Sequence, residues 1–246
     1  MSDSVRTKLQ ASASGQTMRK RQLPKRRKLK KQDLAQSAKK QQPEIKEVTR
    51  QTSSIEEHAN VLFKPNEGPQ TEFLAASERE VLYGGSAGGG KSYAMLADPL
   101  RYMGHPQFSG LLLRHTTEEL RELIFKSQEL YPKIWPGIKW SERKMQWTAP
   151  SGARLWMSYL DKEDDVLRYQ GLAFSWIGFD ELTQWPTPFA WNYMRSRLRS
   201  TAPDLPIFMR ATTNPGGRGH GWVKKMFIDP AAYNKPFEAT EIETGE

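Results

Sequence analysis

The segment Gly85-Ser86-Ala87-Gly88-Gly89-Gly90-Lys91-Ser92 spells G-x-x-x-x-G-K-[ST]. That pattern suits the holding of a chain of phosphates. Its glycines let backbone N–H groups converge on phosphate oxygens with no Cβ atoms in the way. Lys91 brings a point charge to the β and γ phosphates, and the Ser92 hydroxyl is a ligand type for Mg²⁺. A second pair, Asp180-Glu181, follows the apolar run Trp176-Ile177-Gly178-Phe179. A carboxylate at that place can complete a metal shell, the role expected of Asp180. The carboxylate after it can orient or deprotonate an attacking water, the role expected of Glu181. Read by itself, such a pair also serves to cap a following helix. No register of the glycines gives G-x-G-x-x-G, which argues against a dinucleotide fold.

Charge that develops on a phosphoryl group needs a guanidinium. Arg114, which ends the run Gly110–Arg114, is the first choice; Arg168, ahead of the acidic pair, is the second; Arg195, Arg197 and Arg199 follow. For any one of them a surface ion pair is the plainer reading. The four histidines lack metal-ligand spacing, and the eight tryptophans read as core. Asp161, Glu163, Asp164 and Asp165 read as a solvated acidic helix start. Arg218, inside Gly216–Gly221, sits in a glycine-rich turn that could touch a phosphate backbone.

These residues need a scaffold of alternating strands and helices. Glu80–Tyr83 reads as a strand entering the glycine loop, and Lys91–Met103 as the helix after it. Gly110–Arg114 is a strand. Thr116 with Glu119 forms a capping-box pattern that opens a helix to about Leu130. Met145–Thr148 and Ala153–Tyr159 flank Pro150-Ser151-Gly152 as a hairpin insertion. Ala173–Phe179 and Pro206–Thr212 are strands, with a helix from Pro188 to Arg199 between them. The fold class expected is α/β, a P-loop NTPase with a mostly parallel sheet flanked by helices.

The chain has 246 residues, no cysteine and a formal net charge of +9. A disulfide scaffold, a thiolate zinc site and a cysteine nucleophile are excluded. Residues 1–50 carry 15 Lys/Arg against 4 Asp/Glu, whereas residues 51–246 carry 22 against 24. All the excess positive charge is therefore at one end. No aromatic residue precedes Phe63, so that segment has too little apolar surface to offset its ordering entropy. Residues 1–60 are expected to be a disordered basic tail, suited to contact with DNA phosphates or an acidic partner. Residues 61–246 are expected to form one ATPase-sized domain.

Taken in order, these motifs resemble the N-terminal ATPase domain of the large terminase subunit, the DNA-packaging motor of tailed phages. The resemblance rests on Pro69-Gln70, GGSAGGGKS at 84–92, LLLRHTTEEL at 111–120, RYQGLAFSWIGFDE at 168–181 and ATTNPGG at 211–217. It implies an ASCE-type P-loop fold that takes ATP and Mg²⁺, with Gln70 on the adenine. It also implies that Thr212, Thr213 and Asn214 couple hydrolysis to movement. The partners implied are double-stranded DNA, the portal protein and a small terminase subunit. The chain would form a homo-oligomeric ring on the procapsid in the host cytoplasm, with no membrane involved, though a lone chain could be monomeric. Two departures stand out. The Arg that many relatives carry inside the glycine loop is replaced by the stretch Ser86-Ala87-Gly88, and the nuclease domain of the family is not expected within this sequence. Two rivals stay open. One is a helicase-like or loader ATPase of replication, although no accessory helicase motif follows Asn214. The other is a nucleotide-bound adaptor that tethers DNA without turnover.

Overall fold

The computed structural model describes residues 62–86 and 88–238. The expected basic tail and Ala87 of the glycine loop lie outside the described residues.

The central element is a seven-stranded sheet. Its strands are β1 (Glu80–Gly84), β2 (Ser109–Arg114), β3 (Lys139–Ser141), β4 (Gln146–Thr148), β5 (Arg154–Tyr159), β6 (Trp176–Phe179) and β7 (Phe208–Thr213). They lie in the order β1-β7-β6-β2-β5-β4-β3. The first five in that order run parallel, and β4 and β3 extend the edge antiparallel. Strands buried on both faces must be apolar throughout, which explains Leu111–Leu113 and Trp176–Phe179.

Helices cover both faces. On one side lie α2 (Lys91–Ala97), a 3-10 turn (Asp98–Tyr102) and α3 (Thr117–Ile134). They share a core with Leu112, Met157 and Trp176. On the other side α4 (Phe189–Arg195) and α5 (His220–Phe227) pack with Leu111, Ile177 and Phe179. A short helix, α1 (Pro69–Ala75), sets Phe73 against Tyr83 with ring centroids 5.4 Å apart. Trp176, Trp185 and Trp191 are fully buried. Each such ring removes about 150–250 Å² from water, or roughly 4–6 kcal/mol by area.

Local chemistry sets the element ends. Thr116 caps α3, its Oγ1 accepting from the Glu119 N–H at 3.3 Å. The single helix expected from Lys91 to Met103 is split, because Pro99 lacks a backbone donor and the chain tightens into the 3-10 turn after Ala97. The helix expected to reach Arg199 ends at Arg195. The hairpin at Pro150-Ser151-Gly152 is present, but it is no separate insertion. Its second arm, β5, is also a parallel partner of β2, with Arg114 level with Tyr159.

Strand β7 lies between β1 and β6. Register puts Gly84 level with Thr213 and Phe179 level with Ala211. Leu113 is level with Phe179 on the other side of β6. The C-terminal ends of β1, β7, β6 and β2 therefore line one edge of the sheet, and each leads into a sequence motif.

Candidate active site

The glycine loop leaves β1 at that edge. Gly85 and Gly90 have φ of 145° and 74°, where a side chain would be strained. A Cβ on Gly90 would also stand 2.7 Å from Gln70 Nε2. Lys91 is buried, and its ammonium donates to the carbonyls of Gly85 at 3.0 Å and Ser86 at 2.6 Å. Tyr83 Oη donates to the Gly89 carbonyl at 2.5 Å, which ties the loop to its own strand. Ser92 stands half-buried in the first turn of α2.

Gln70 is placed beside this loop and is buried. Its Nε2 donates to the Gly90 carbonyl at 2.8 Å, while its Oε1 accepts from the Asn66 N–H at 2.6 Å. The residue expected to meet a base thus uses both ends of its amide to brace the loop.

Asp180 and Glu181 leave β6 at the middle of the edge. The Asp180 N–H donates to the Leu113 carbonyl at 2.9 Å, so the β2–β6 ladder runs into the acidic pair. Asp180 is fully buried. Its Oδ1 accepts from Thr212 Oγ1, and its Oδ2 lies 3.4 Å from Arg114 Nη1 with no hydrogen bond. Glu181 has φ 62° and ψ 57°, the left-handed region, and opens a 3-10 turn (Leu182–Gln184).

The end of β7 holds Glu181 in that conformation. Its N–H donates to Thr212 Oγ1 at 3.1 Å. Asn214 gives its backbone N–H to Oε2 at 3.0 Å and its Nδ2 to Oε1 at 2.7 Å. Burial pushes the Glu181 carboxyl above its ordinary range. The Asn214 N–H opposes that, the Asp180 charge adds to it, and Arg114 and Lys91 oppose it. Thr213 faces the other way, its Oγ1 sharing a 2.8 Å hydrogen bond with Thr183 Oγ1.

Lys91, Ser92, Arg114, Asp180, Glu181, Thr212 and Asn214 therefore share one edge, as their motifs predict. Arg168 is not brought into this group. It lies in a 3-10 helix (Glu163–Tyr169), donates to the Asp165 carbonyl at 2.9 Å, and pairs with the Asp165 carboxylate at 3.2 Å. Of the helix group, Arg195 pairs with Glu80 at 2.8 Å, and Arg197 lies over the Tyr193 ring at 4.9 Å.

Several supporting residues escaped the sequence reading. Gln184 Nε2 donates to Glu119 Oε1 at 2.7 Å, tying the acidic turn to the start of α3. The Gly219 N–H donates to the Thr183 carbonyl at 2.8 Å, and Trp222 Nε1 donates to the Trp185 carbonyl at 2.9 Å. The glycine-rich turn after Asn214 is thus bonded to the acidic turn through α5. Arg210 and Asp98, both fully buried, face each other at 3.5 Å behind Thr212. A charged residue inside an otherwise buried strand was the available signal for Arg210.

Residues 82–243 match the family described as terminase large subunit, T4likevirus-type, N-terminal. The chain belongs to that family. Solved large terminases agree in fold. The large terminase of a thermophilic bacteriophage (crystal form 2) superposes with a TM-score of 0.54 at 19% identity, covering 68% of this chain and 43% of that one. The same phage's terminase in complex with ADP gives 0.52 at 20% identity over 67% and 42%. The HK97 bacteriophage large terminase gives 0.50 at 12% identity over 66% and 36%. This terminase chain spans less than half the length of each of these structures. No curated protein sequence matches it.

The residues present fit the group that such a fold takes. Asp180 offers a buried carboxylate oxygen with no hydrogen-bond partner. With a serine hydroxyl it makes a hard-oxygen donor set of the kind Mg²⁺ prefers.

Proposed function

We propose that this chain is the ATP-hydrolysing motor module that drives double-stranded DNA into a phage procapsid. The observation that carries the reading is the joining of three motifs at one sheet edge. The phosphate-type loop and the Asp180–Glu181 pair are there, with Thr212 hydrogen-bonded to both acids and Asn214 to Glu181. The ADP and ATP-γ-S complexes of the thermophilic phage terminase support ATP as the ligand.

In this reading the loop amides and Lys91 bind the phosphates. The lysine exchanges two loop carbonyls for phosphate oxygens, which costs little because both are hydrogen-bond acceptors. Ser92 and Asp180 would hold Mg²⁺, which supplies charge neutralisation at the phosphate oxygens. Glu181 orients the attacking water and takes its proton once its carboxylate leaves Asn214. Among the described residues, Arg114 is the guanidinium that faces Asp180, and it stands by the developing charge. Arg168, exposed and paired with Asp165, is available to a neighbouring subunit's site. Gln70 acts through the loop, and any contact with the adenine uses the remaining valences of its amide. Thr212, Thr213 and Asn214 couple occupancy of the site to α5, because Thr183 and Gly219 continue the chain of bonds.

DNA, the portal protein and a small terminase subunit are the partners in this account, and a homo-oligomeric ring on the procapsid in the host cytoplasm is the working form. The test is Glu181→Gln. Phosphate release should fall by roughly 10²–10⁴-fold, the usual worth of a general base, while Mg·ATP binding persists. Turnover at the wild-type rate would remove Glu181 from the mechanism.

A further inference from the structure

The pair Arg114–Asp180 is built unlike the domain's other buried ion pair. Asp98 accepts from Trp176 Nε1 at 2.7 Å and from Arg101. Arg210 donates to the carbonyls of Glu78 at 2.8 Å and Ala76 at 3.0 Å. In that pair both Asp98 oxygens and both terminal nitrogens of Arg210 make hydrogen bonds, and only Arg210 Nε, which faces Asp98, has none. In contrast, Arg114 Nε, Arg114 Nη1 and Asp180 Oδ2 all lack a hydrogen-bond partner, although both side chains are about nine-tenths buried or more. A buried ion pair repays its desolvation only when hydrogen bonds satisfy the remaining valences of both groups. Here charge faces charge at 3.4 Å, and the hydrogen bonds are unmade. Thr212 fixes the other oxygen of Asp180, so Oδ2 is held toward Arg114.

We infer that Arg114 and Asp180 are stand-in partners, the guanidinium covering the carboxylate that a divalent cation takes and the carboxylate covering the guanidinium that a phosphate takes. The inference rests on the Mg·nucleotide reading of this site. A cation alone must displace a resident cation, and a phosphate alone must displace a resident anion. The two together exchange one poorly bonded pair for two well-bonded ones. This pair therefore adds positive coupling between metal and nucleotide to their direct attraction, and by linkage each raises the affinity of the other by the same factor.

The test is calorimetric titration of Mn²⁺ alone, ATP in EDTA and Mg·ATP into wild type, Arg114→Gln and Asp180→Asn. Arg114→Gln is expected to bind Mn²⁺ alone roughly tenfold or more tightly than wild type, and Asp180→Asn to gain a similar factor for metal-free ATP. In both the metal–nucleotide coupling should shrink by about the factor gained, leaving only the direct attraction between cation and phosphate. Folded variants that show neither gain overturn the inference. Arg114→Gln strands a buried carboxylate, so if it does not fold, the Asp180→Asn arm decides: an unchanged or weaker affinity for metal-free ATP overturns the pairing. A wild-type chain that takes up no Mg·ATP removes the nucleotide reading and this inference together. That pattern is distinct from wild-type binding with no gain in the variants.

Discussion

Glu181 occupies a backbone region that costs a non-glycine residue roughly 1–2 kcal/mol, and three hydrogen bonds with Thr212 and Asn214 hold it there. Asn214 supplies two of them. Asn214→Ala keeps the backbone N–H but removes the Nδ2 bond, and should lower unfolding stability by about 1.5–3 kcal/mol, the worth of one hydrogen bond to a charged group. A urea midpoint equal to that of wild type would contradict the clamp. The loop, Asp180 and Glu181 were legible in the sequence because phosphate chemistry demands those residue types at fixed spacing. The clamp was legible only as a motif, because its hydrogen bonds join residues 31 to 33 positions apart. The bracing by Gln70 was hidden for a similar reason. Sequence gives the amide, but only the fold shows that Gly90 and Asn66 already use it.

At the scale of elements, the acidic turn is wedged between α3 and α5. Glu119 Oε1 accepts from Gln184 Nε2 at 2.7 Å. Burial raises its carboxyl, but that bond, the Arg114 charge and the neighbouring Thr116 outweigh it and hold the group below the ordinary value of 4.5. A depressed acid stabilises the fold above its unfolded pKa and loses that contribution as pH falls through its folded value. Glu119→Gln should thus be less stable than wild type near pH 7, and the gap should close below about pH 4.5. Thermal melts across that range check it, and a gap independent of pH would contradict the charge-based account. On the other flank, a Cβ on Gly219 would land on the Trp185 carbonyl and crowd the Trp222 ring. Gly219→Ala should cost about 1–3 kcal/mol as overpacking, and an unchanged melting temperature would show that α5 docks differently. The strands were readable from their apolar runs except β3 (Lys139–Ser141), whose three residues hold one large apolar side chain and no run. The split of the first long helix was readable in principle from Pro99. Helix α5 was not, because its start, Gly219-His220-Gly221, has the composition of a turn and is ordered by bonds to Thr183 and Trp185.

At the scale of the whole molecule, the strand order decides which motifs meet. Placing β7 between the loop strand and the acidic strand lets one strand end touch both acids. The alternation of strands and helices announced an α/β sheet, whereas the order β1-β7-β6-β2 rests on pairings between distant segments. The basic tail is a separate matter of charge. If it binds DNA phosphates, deleting residues 1–60 should weaken DNA binding. The slope of log affinity against log salt should also flatten, by about 0.9 for each phosphate that the tail neutralises. An unchanged slope would remove the tail from DNA binding. Everything proposed for the motor depends on a triphosphate lying against the loop. The most direct measurement is calorimetric titration of Mg·ATP-γ-S into the wild-type chain and into Lys91→Ala. One saturable site in wild type, abolished or weakened at least roughly tenfold in the variant, is the result expected. No uptake by wild type, or equal uptake by both, would contradict it.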